Sequence, residues 1–403
     1  MNIVVQKYGG SSVATPEKMR IVADRVVATR QSGVLPVVVV SAMGRTTDGL
    51  LALAREVSDA PHRRELDMLI SVGERVSMAL LAMVLRDRGF EAVSFTGSQA
   101  GIITTADHNQ ARIIEVRPTR VVEALQQQRI VIVGGFAGVS VRKEVTTLGR
   151  GGSDTTAIAL AAALQADSCE ILSDVDGVYT ADPRLVPGAR KLESLDHGEI
   201  LEMGLRGAKV LAPAAIDYAR RHGITLRAGA TSGEGTGTVV TRRPHPGTGR
   251  AVAVTADHHA LPMRLRSTEG EAGKFLDALD AEGLPWKDCR RTREGAHIEL
   301  HLVLDMLDAP DAARRARALL PSSADLAVYQ DLGTATVVGE GIAERSEAWR
   351  IAGRTLDALG LQPPEMWGSS YGLTAMLPRK VLDEVVQRWH RAFPGLESNP
   401  NAD

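Results

Sequence analysis

Thr147-Leu148-Gly149-Arg150-Gly151-Gly152-Ser153-Asp154-Thr155-Thr156 is the stretch on which the fold turns. Before it, Ile130 to Val133 is an apolar run that reads as a buried strand. After it, Thr155 to Gln165 is an Ala/Leu-rich helix. Strand, glycine turn and helix in that order leave free backbone N–H groups at the helix start, where an anion is readily held. Gly151 and Gly152 let the backbone come close to a ligand, and Ser153 or Asp154 can cap the helix. Neither familiar phosphate motif fits. A P-loop needs Lys after its last glycine, and a dinucleotide fingerprint needs a third glycine where Asp154 stands. An arginine and an acid beside the turn suit an amino-acid anion, while a capped helix without a ligand explains the stretch equally well when it is taken alone.

The 403 residues suggest two or three domains with ample apolar content for real cores. A formal charge of -2 and the lack of a long Lys/Arg tract argue against nucleic acid as a partner. Only Cys169 and Cys289 are present, far apart, which argues against a disulfide scaffold or a cysteine zinc site and fits a reducing compartment. The apolar run in Met1-Asn2-Ile3-Val4-Val5-Gln6 is too short for a signal peptide, and no stretch is expected to reach membrane-span length. A cytoplasmic protein is expected, with no membrane partner.

From residue 1 to about 241, short Val/Ile runs alternate with amphipathic helical stretches: Ile3 to Val5, Met19 to Arg30, Leu35 to Val40, Arg64 to Leu85. That alternation predicts an α/β sheet covered by helices. Residues 242 to 256 open with Arg242-Arg243-Pro244-His245-Pro246-Gly247 and read as a linker. Beyond it the period shortens. Strand-like Leu261 to Leu265, helix Glu271 to Ala281, strand-like Ile298 to Leu304, helix Asp311 to Leu320 and strand-like Ala327 to Gln330 form one small α+β unit, 257 to 330. The order restarts at Thr334 to Val338 with helices Glu344 to Leu359 and Val381 to Phe393, giving a second unit, 331 to 403.

Several other motifs carry chemistry. Lys7-Tyr8-Gly9-Gly10-Ser11-Ser12 puts a lysine at a strand end beside a glycine turn, well placed for a phosphate, though a solvated lysine at a turn is as common. Ser173-Asp174-Val175-Asp176-Gly177-Val178-Tyr179-Thr180-Ala181-Asp182-Pro183-Arg184 offers carboxylates just past a strand end, where a magnesium-nucleotide is held in α/β sheets, and an acidic surface loop is the competing explanation. Lys209 in Gly207-Ala208-Lys209-Val210 adds a second cation. Ser41-Ala42-Met43-Gly44-Arg45-Thr46-Thr47 and Gly73-Glu74-Arg75 bring hydroxyls and one carboxylate that could read a small zwitterion, unless Glu74 is an ordinary helix-surface acid.

Together with Phe95-Thr96-Gly97-Ser98-Gln99-Ala100-Gly101, these motifs resemble those of the aspartate kinases in order and spacing, across roughly Met1 to Thr241. The closest likeness is to bacterial enzymes with an amino-acid-kinase domain followed by two ACT units. The implied architecture is a helix-sandwiched α/β sheet followed by a tandem of ferredoxin-like α+β units. The resemblance implies transfer of phosphate from ATP, with Mg2+, to the β-carboxylate of L-aspartate. Lys7 and Lys209 would neutralise the phosphates. Gly9, Gly10, Ser173, Asp174, Tyr179, Asp182 and Arg184 would form the nucleotide and magnesium region, Asp174 with a catalytic part. Thr47, Glu74, Arg150, Gly152, Ser153 and Asp154 would form the aspartate site, Arg150 opposite the α-carboxylate and an acid opposite the ammonium. A homodimer or larger homo-oligomer is implied, with an amino-acid effector at the ACT-like units.

The chemistry agrees with that assignment. A β-carboxylate with a pKa of about 4 is already ionised at neutral pH and needs no general base. The obstacle is an anion attacking an anion, so the protein must supply positive charge and alignment. A sibling kinase acting on glutamate or N-acetylglutamate, and a ligand-sensing protein without turnover, are the alternatives. Retention of both Lys7 and Lys209 counts against the sensor.

Blander readings cover the remaining features. His258-His259 reads as a solvated turn rather than a metal site, Cys169 as packing, and the four tryptophans, Trp286, Trp349, Trp367 and Trp389, as core or subunit contacts. Two departures bear on regulation. Arg266-Ser267-Thr268-Glu269-Gly270-Glu271 replaces the family's Asp-Lys-Pro-Gly type of effector loop, and Leu284 to Cys289 lacks the family's Asn/Asp-rich strand. The polar end after Phe393 predicts an incomplete or altered last sheet. Feedback by lysine or threonine is therefore expected to be weakened, which would suit a dedicated pathway.

Overall fold

The computed structural model describes residues 1–233, 237–242, 249–307, 309–321 and 323–397. The chain divides into two compact units. The first comprises Met1–Val178, Lys191–Leu201 and Val210–Pro244; the second comprises Tyr179–Arg190, Glu202–Lys209 and His245–Asp403.

In the first unit an eight-stranded sheet runs in the spatial order Ser194–Leu195, Thr238–Val240, Leu226–Ala230, Ser168–Ser173, Ile3–Tyr8, Leu35–Val40, Ile130–Gly134, Ala92–Phe95. Its central pairings are parallel, with Val5 opposite Val37 and Cys169, and Val38 opposite Ile132. Strands covered on both faces must be apolar throughout, and every residue of Leu35–Val40 is buried. The helix Pro16–Gln31 starts with Pro after Thr15, whose hydroxyl accepts from the Lys18 amide. Helix Gly152–Ala163 is buried nearly all round, which its small alanines permit. A second sheet of four short strands includes Ala137–Ser140 and Val145–Thr147, and so leads into the glycine turn.

The expected long helix from Arg64 to Leu85 is two helices, Arg63–Ile70 and Val72–Asp87, meeting at Ser71. Contrary to expectation, Arg63–Asp87 is long and apolar enough by composition to cross a membrane. One side of it is taken up by the sheet, where Met78, Leu81, Ala82 and Leu85 share a core with Val38, Val40, Ile130 and Ile132, while Val72, Val76, Leu80 and Met83 stay exposed.

The second unit holds two antiparallel four-stranded sheets. One has the order Trp286–Glu294, His297–Asp305, Ala260–Ser267, Asp325–Val328, and the other Ala253–Asp257, Leu332–Val338, Gly372–Pro378, Met366–Gly368. Strand Ala253–Asp257 overlaps the end of the stretch read as a linker, of which residues 243–248 fall outside the described residues. It pairs with Leu332–Val338, so the last sheet, expected to be incomplete or altered, has four strands. The first small unit is thus inserted between two strands of the second. Trp286–Glu294 was not legible as a strand because it is a charged edge, paired on one side only.

The segment Tyr179–Arg190 joins this unit's core, where Ala181 and Val186 pack with Val254, Trp389 and Phe393. Buried Thr180 Oγ1 lies 2.8 Å from His390 Nε2. Trp389, fully buried, donates to Ala352 O, and Cys169 in the first unit is packed within its strand. His258 Nε2 sits 2.8 Å from Asp383 Oδ1. Buried ion clusters brace the second unit, among them Arg206 with Glu202 and Asp288, and Lys287 with Asp257 and Asp305.

Candidate active site

The first unit's sheet reverses its strand order at Ile3–Tyr8. On one side the chain adds Leu35–Val40, then the edge strand Ala92–Phe95 and Ile130–Gly134 between them, and it then crosses to the other side of Ile3–Tyr8 with Ser168–Ser173. Such a reversal opens a crevice beyond the carboxyl ends of the strands, where α/β sheets bind ligands. Lys7 is the penultimate residue of its strand, and its Nζ is 2.6 Å from Asp154 Oδ1 in the first turn of helix Gly152–Ala163. Both side chains are largely buried, at 13 and 12 % exposure, so the cation is held where water screens it little.

Glycines bring the surrounding backbones together. Gly9 N donates to Leu172 O, and Gly44 N to Gly10 O. A Cβ on Gly10 would lie 2.8 Å from Ala42 O, and one on Gly135 would lie 2.8 Å from the Ser153 side chain. Gly149 and Gly151 have φ of +72° and +68°, the left-handed region that glycine enters without strain. A Cβ on Gly151 would come within 2.0 Å of Ala212 Cβ, so no other residue fits the turn as built.

Glu74 closes the ring. It lies in the first turn of Val72–Asp87 against Gly134, and it is 4 % exposed. Its Oε1 accepts from the Ala42 amide at 3.1 Å, whereas its buried Oε2 has no hydrogen-bond partner among the described residues. Burial pushes its pKa up to about 7, with the amide contacts opposing. A carboxylate left half satisfied in a crevice is matched by a ligand carrying positive charge and hydrogen-bond donors.

Contacts therefore run from Lys7 through Asp154, Ser153, Gly135, Gly134, Glu74 and Ala42 to Gly10 and Gly9. Gly152 begins the buried helix beside Phe136 and Leu148. Thr47, half-exposed, stands in the first turn of Thr46–Val57. Arg150 is exposed on the glycine turn. Ser173 ends its strand, with exposed Asp174 just beyond it. Tyr179, Asp182, Arg184 and Lys209 belong to the second unit. There, both Asp182 oxygens accept from the Arg184 guanidinium, at 3.0 and 2.6 Å. The Arg184 hydrogen bonds, with a smaller contribution from the Lys209 charge, hold the Asp182 carboxyl below its usual range.

Sequence reading passed over Asp67. This fully buried acid of Arg63–Ile70 accepts hydrogen bonds from Asn109 and Thr147 and lies 2.6 Å from His108 Nδ1. In Arg63-Arg64-Glu65-Leu66-Asp67 it looks like one more solvated helix charge, and nothing in the local pattern separates it from Glu65.

Residues 2–227 match the model of the amino acid kinase family, a span that holds Lys7, Glu74, Asp154 and most of the eight-stranded sheet. The chain belongs to this family. Within it the chain is 57 % identical to an aspartokinase of Mycolicibacterium smegmatis, over 98 % of this chain and 96 % of that one. It is 37 % identical to an aspartokinase of Thermus thermophilus, over 98 % and 99 %. The solved E. coli aspartokinase III in complex with aspartate and ADP superposes with a TM-score of 0.80 at 25 % identity, covering 97 % of this chain and 99 % of that one. Likeness over the full length, including the two small sheets, places this chain among the aspartokinases.

Proposed function

We propose that this chain phosphorylates the β-carboxylate of L-aspartate with the γ-phosphate of ATP, giving 4-phospho-L-aspartate, the first step of the aspartate-family amino-acid pathway or of a dedicated one. The observation that carries this reading is the buried Lys7–Asp154 pair beside the half-satisfied Glu74. A carboxylate oxygen attacks the γ-phosphorus, an O–P bond forms, the bond to the bridging oxygen of ADP breaks, and no proton need move. Lys7 supplies positive charge to the transferring group, and Gly9 and Gly10 let its oxygens approach the backbone. Glu74 holds the α-ammonium, while Arg150 and the amides at the start of Gly152–Ala163 hold the α-carboxylate, with Thr47, Ser153 and Asp154 fixing the remainder.

Tyr179, Asp182, Arg184 and Lys209 keep the nucleotide role that the resemblance implies. Of the acids after Ser168–Ser173, Asp174 is the candidate for magnesium, because Asp182 already gives both its oxygens to Arg184 and Asp176 pairs with Lys191. Magnesium bound there would neutralise charge on the phosphates. A homodimer or larger homo-oligomer in the cytoplasm completes the proposal. Comparing rates of ADP release with L-aspartate and L-glutamate tests the substrate assignment: a marked preference for aspartate is expected, and equal rates would refute it.

Regulation by lysine or threonine is proposed to be weak. The solved E. coli aspartokinase III has also been seen with lysine and aspartate, at a TM-score of 0.73 to this chain. In this chain the start of helix Glu269–Ala281 is closed by its own side chains. Glu271 accepts from the Thr268 amide and hydroxyl at 3.1 and 2.8 Å, and Glu269 pairs with Arg291 and Arg293. Backbone donors already engaged by a capping box have less to offer an effector carboxylate.

A further inference from the structure

We propose that Asp67 is a positioning residue for the substrate turn, fixing Gly149-Arg150-Gly151 through a buried hydrogen-bond cluster. The inference rests on the reading of that turn as part of the aspartate site. Asp67 is fully buried in the first unit. Its Oδ1 accepts from Thr147 Oγ1 at 2.6 Å, from Asn109 Nδ2 at 2.5 Å and from the Asn109 amide at 3.1 Å. Its Oδ2 lies 2.6 Å from His108 Nδ1 and 3.2 Å from the Asn109 amide.

Each of these contacts presents a donor to Asp67, the imidazole included if its Nδ1 carries the proton. A carboxylate satisfies them all, whereas an amide would turn an N–H toward one of them. The cluster then reaches the turn at several points. Thr147 O accepts from the Ala111 amide at 2.9 Å, and Leu148 N donates to Phe136 O at 2.9 Å. Asn109 takes up a φ of +69°, unusual for a residue with a side chain, and its Nδ2 also reaches Arg63 O at 3.2 Å. A Cβ on Gly149 would lie 3.2 Å from Asn109 O, so the Asp67-held loop packs against the turn itself. Thr147 is only two residues from Gly149 and three from Arg150. Its hydroxyl, spent on Asp67, anchors the chain just before the backbone enters the left-handed turn. Asp67 does not touch the crevice; it acts by limiting the conformations of the residues that do.

The test compares Thr147→Val, which keeps shape and loses the hydroxyl, with Thr147→Ser, which keeps the hydroxyl, and with Asp67→Asn, in steady-state assays varying L-aspartate and ATP separately. Arg150→Ala runs alongside. The expected result is a KM for L-aspartate raised about tenfold or more in Thr147→Val, with the KM for ATP little changed, near-native constants in Thr147→Ser, and a raised KM for L-aspartate in Arg150→Ala. Asp67→Asn should shift the same constant further if it folds, and the threonine pair carries the test if it does not. A native KM for L-aspartate in Thr147→Val, with Arg150→Ala impaired, would overturn the positioning role alone. A native KM in Arg150→Ala would remove the substrate reading of the turn and the inference with it. Equal changes for both substrates in Thr147→Val would show a general structural role and also refute it.

Discussion

Glu74 Oε1 is held by the Ala42 amide at 3.1 Å, which leaves Oε2 buried with no hydrogen-bond partner among the described residues. One amide, just past the end of Leu35–Val40, fixes the carboxyl group and leaves its second oxygen buried without a donor. In the proposed aspartate site this orients the group that meets the ammonium before any ligand arrives, at a cost in stability set by its burial.

That cost has a pH signature. The Glu74 pKa rises from 4.5 to about 7 in the ligand-free fold, so its stability contribution is complete below pH 4.5 and is lost as pH climbs through about 7. Ionising it in the empty site costs roughly 3 kcal/mol. An ammonium ligand reverses the preference, so binding L-aspartate releases a proton, and apparent affinity should improve between pH 5 and pH 8, a range set by that pKa of about 7. Glu74→Gln should flatten that rise, weaken binding, and gain stability relative to native protein at pH 8 but not at pH 4.5. Urea unfolding and KM measured across pH check both parts.

Gly151→Ala should abolish most activity and destabilise the first unit by roughly 3 kcal/mol, combining a left-handed φ with a collision at Ala212. Gly33→Ala is the comparison. It shares a positive φ of +87° but has nothing within 4 Å of its Cβ position, so about 1 kcal/mol and full activity are expected. Thermal unfolding and turnover of the two variants separate backbone strain from steric loss.

Arg206 is 5 % exposed and paired with Glu202 and Asp288. Burial opposes its charge, but the Asp288 hydrogen bonds and the two nearby carboxylates outweigh this and raise its pKa. Arg206→Ala strands two acids in the second unit and should cost about 3–5 kcal/mol. Denaturant unfolding measures it.

Titration with lysine and with threonine, at L-aspartate concentrations near KM, should leave the rate little changed. Thr268→Ala with Glu271→Ala opens the start of Glu269–Ala281. Sensitivity gained in that double variant would support self-capping as the cause, and strong inhibition of the native chain would refute it.

The parallel sheet was legible because Leu35–Val40 and Ile130–Gly134 are continuous Val/Ile runs, a pattern that buried parallel strands impose. Lys7, Glu74 and Asp154 stand out in the sequence as candidates because each sits beside glycines that mark close backbone approach. Asp67 was not, since burial of a helical acid depends on what packs over it, here Asn109 and Thr147, about 40 and 80 residues away. Ala253–Asp257 was hidden for a similar reason: its partner Leu332–Val338 lies beyond an entire inserted unit. Local pattern gives elements; long-range pairing decides which charges are buried.

The most direct measurement is hydroxylamine trapping of the acyl phosphate formed from magnesium-ATP and L-aspartate, with Lys7→Ala protein alongside. A unit charge at about 4 Å in a medium of effective dielectric near 20 is worth about 4 kcal/mol, close to three decades in rate. Hydroxamate from the native chain, reduced by about that factor in the variant, is the expected result. No hydroxamate from native protein that still binds both substrates, or equal rates from both proteins, would contradict the assignment of Lys7 and its crevice as a phosphoryl-transfer site.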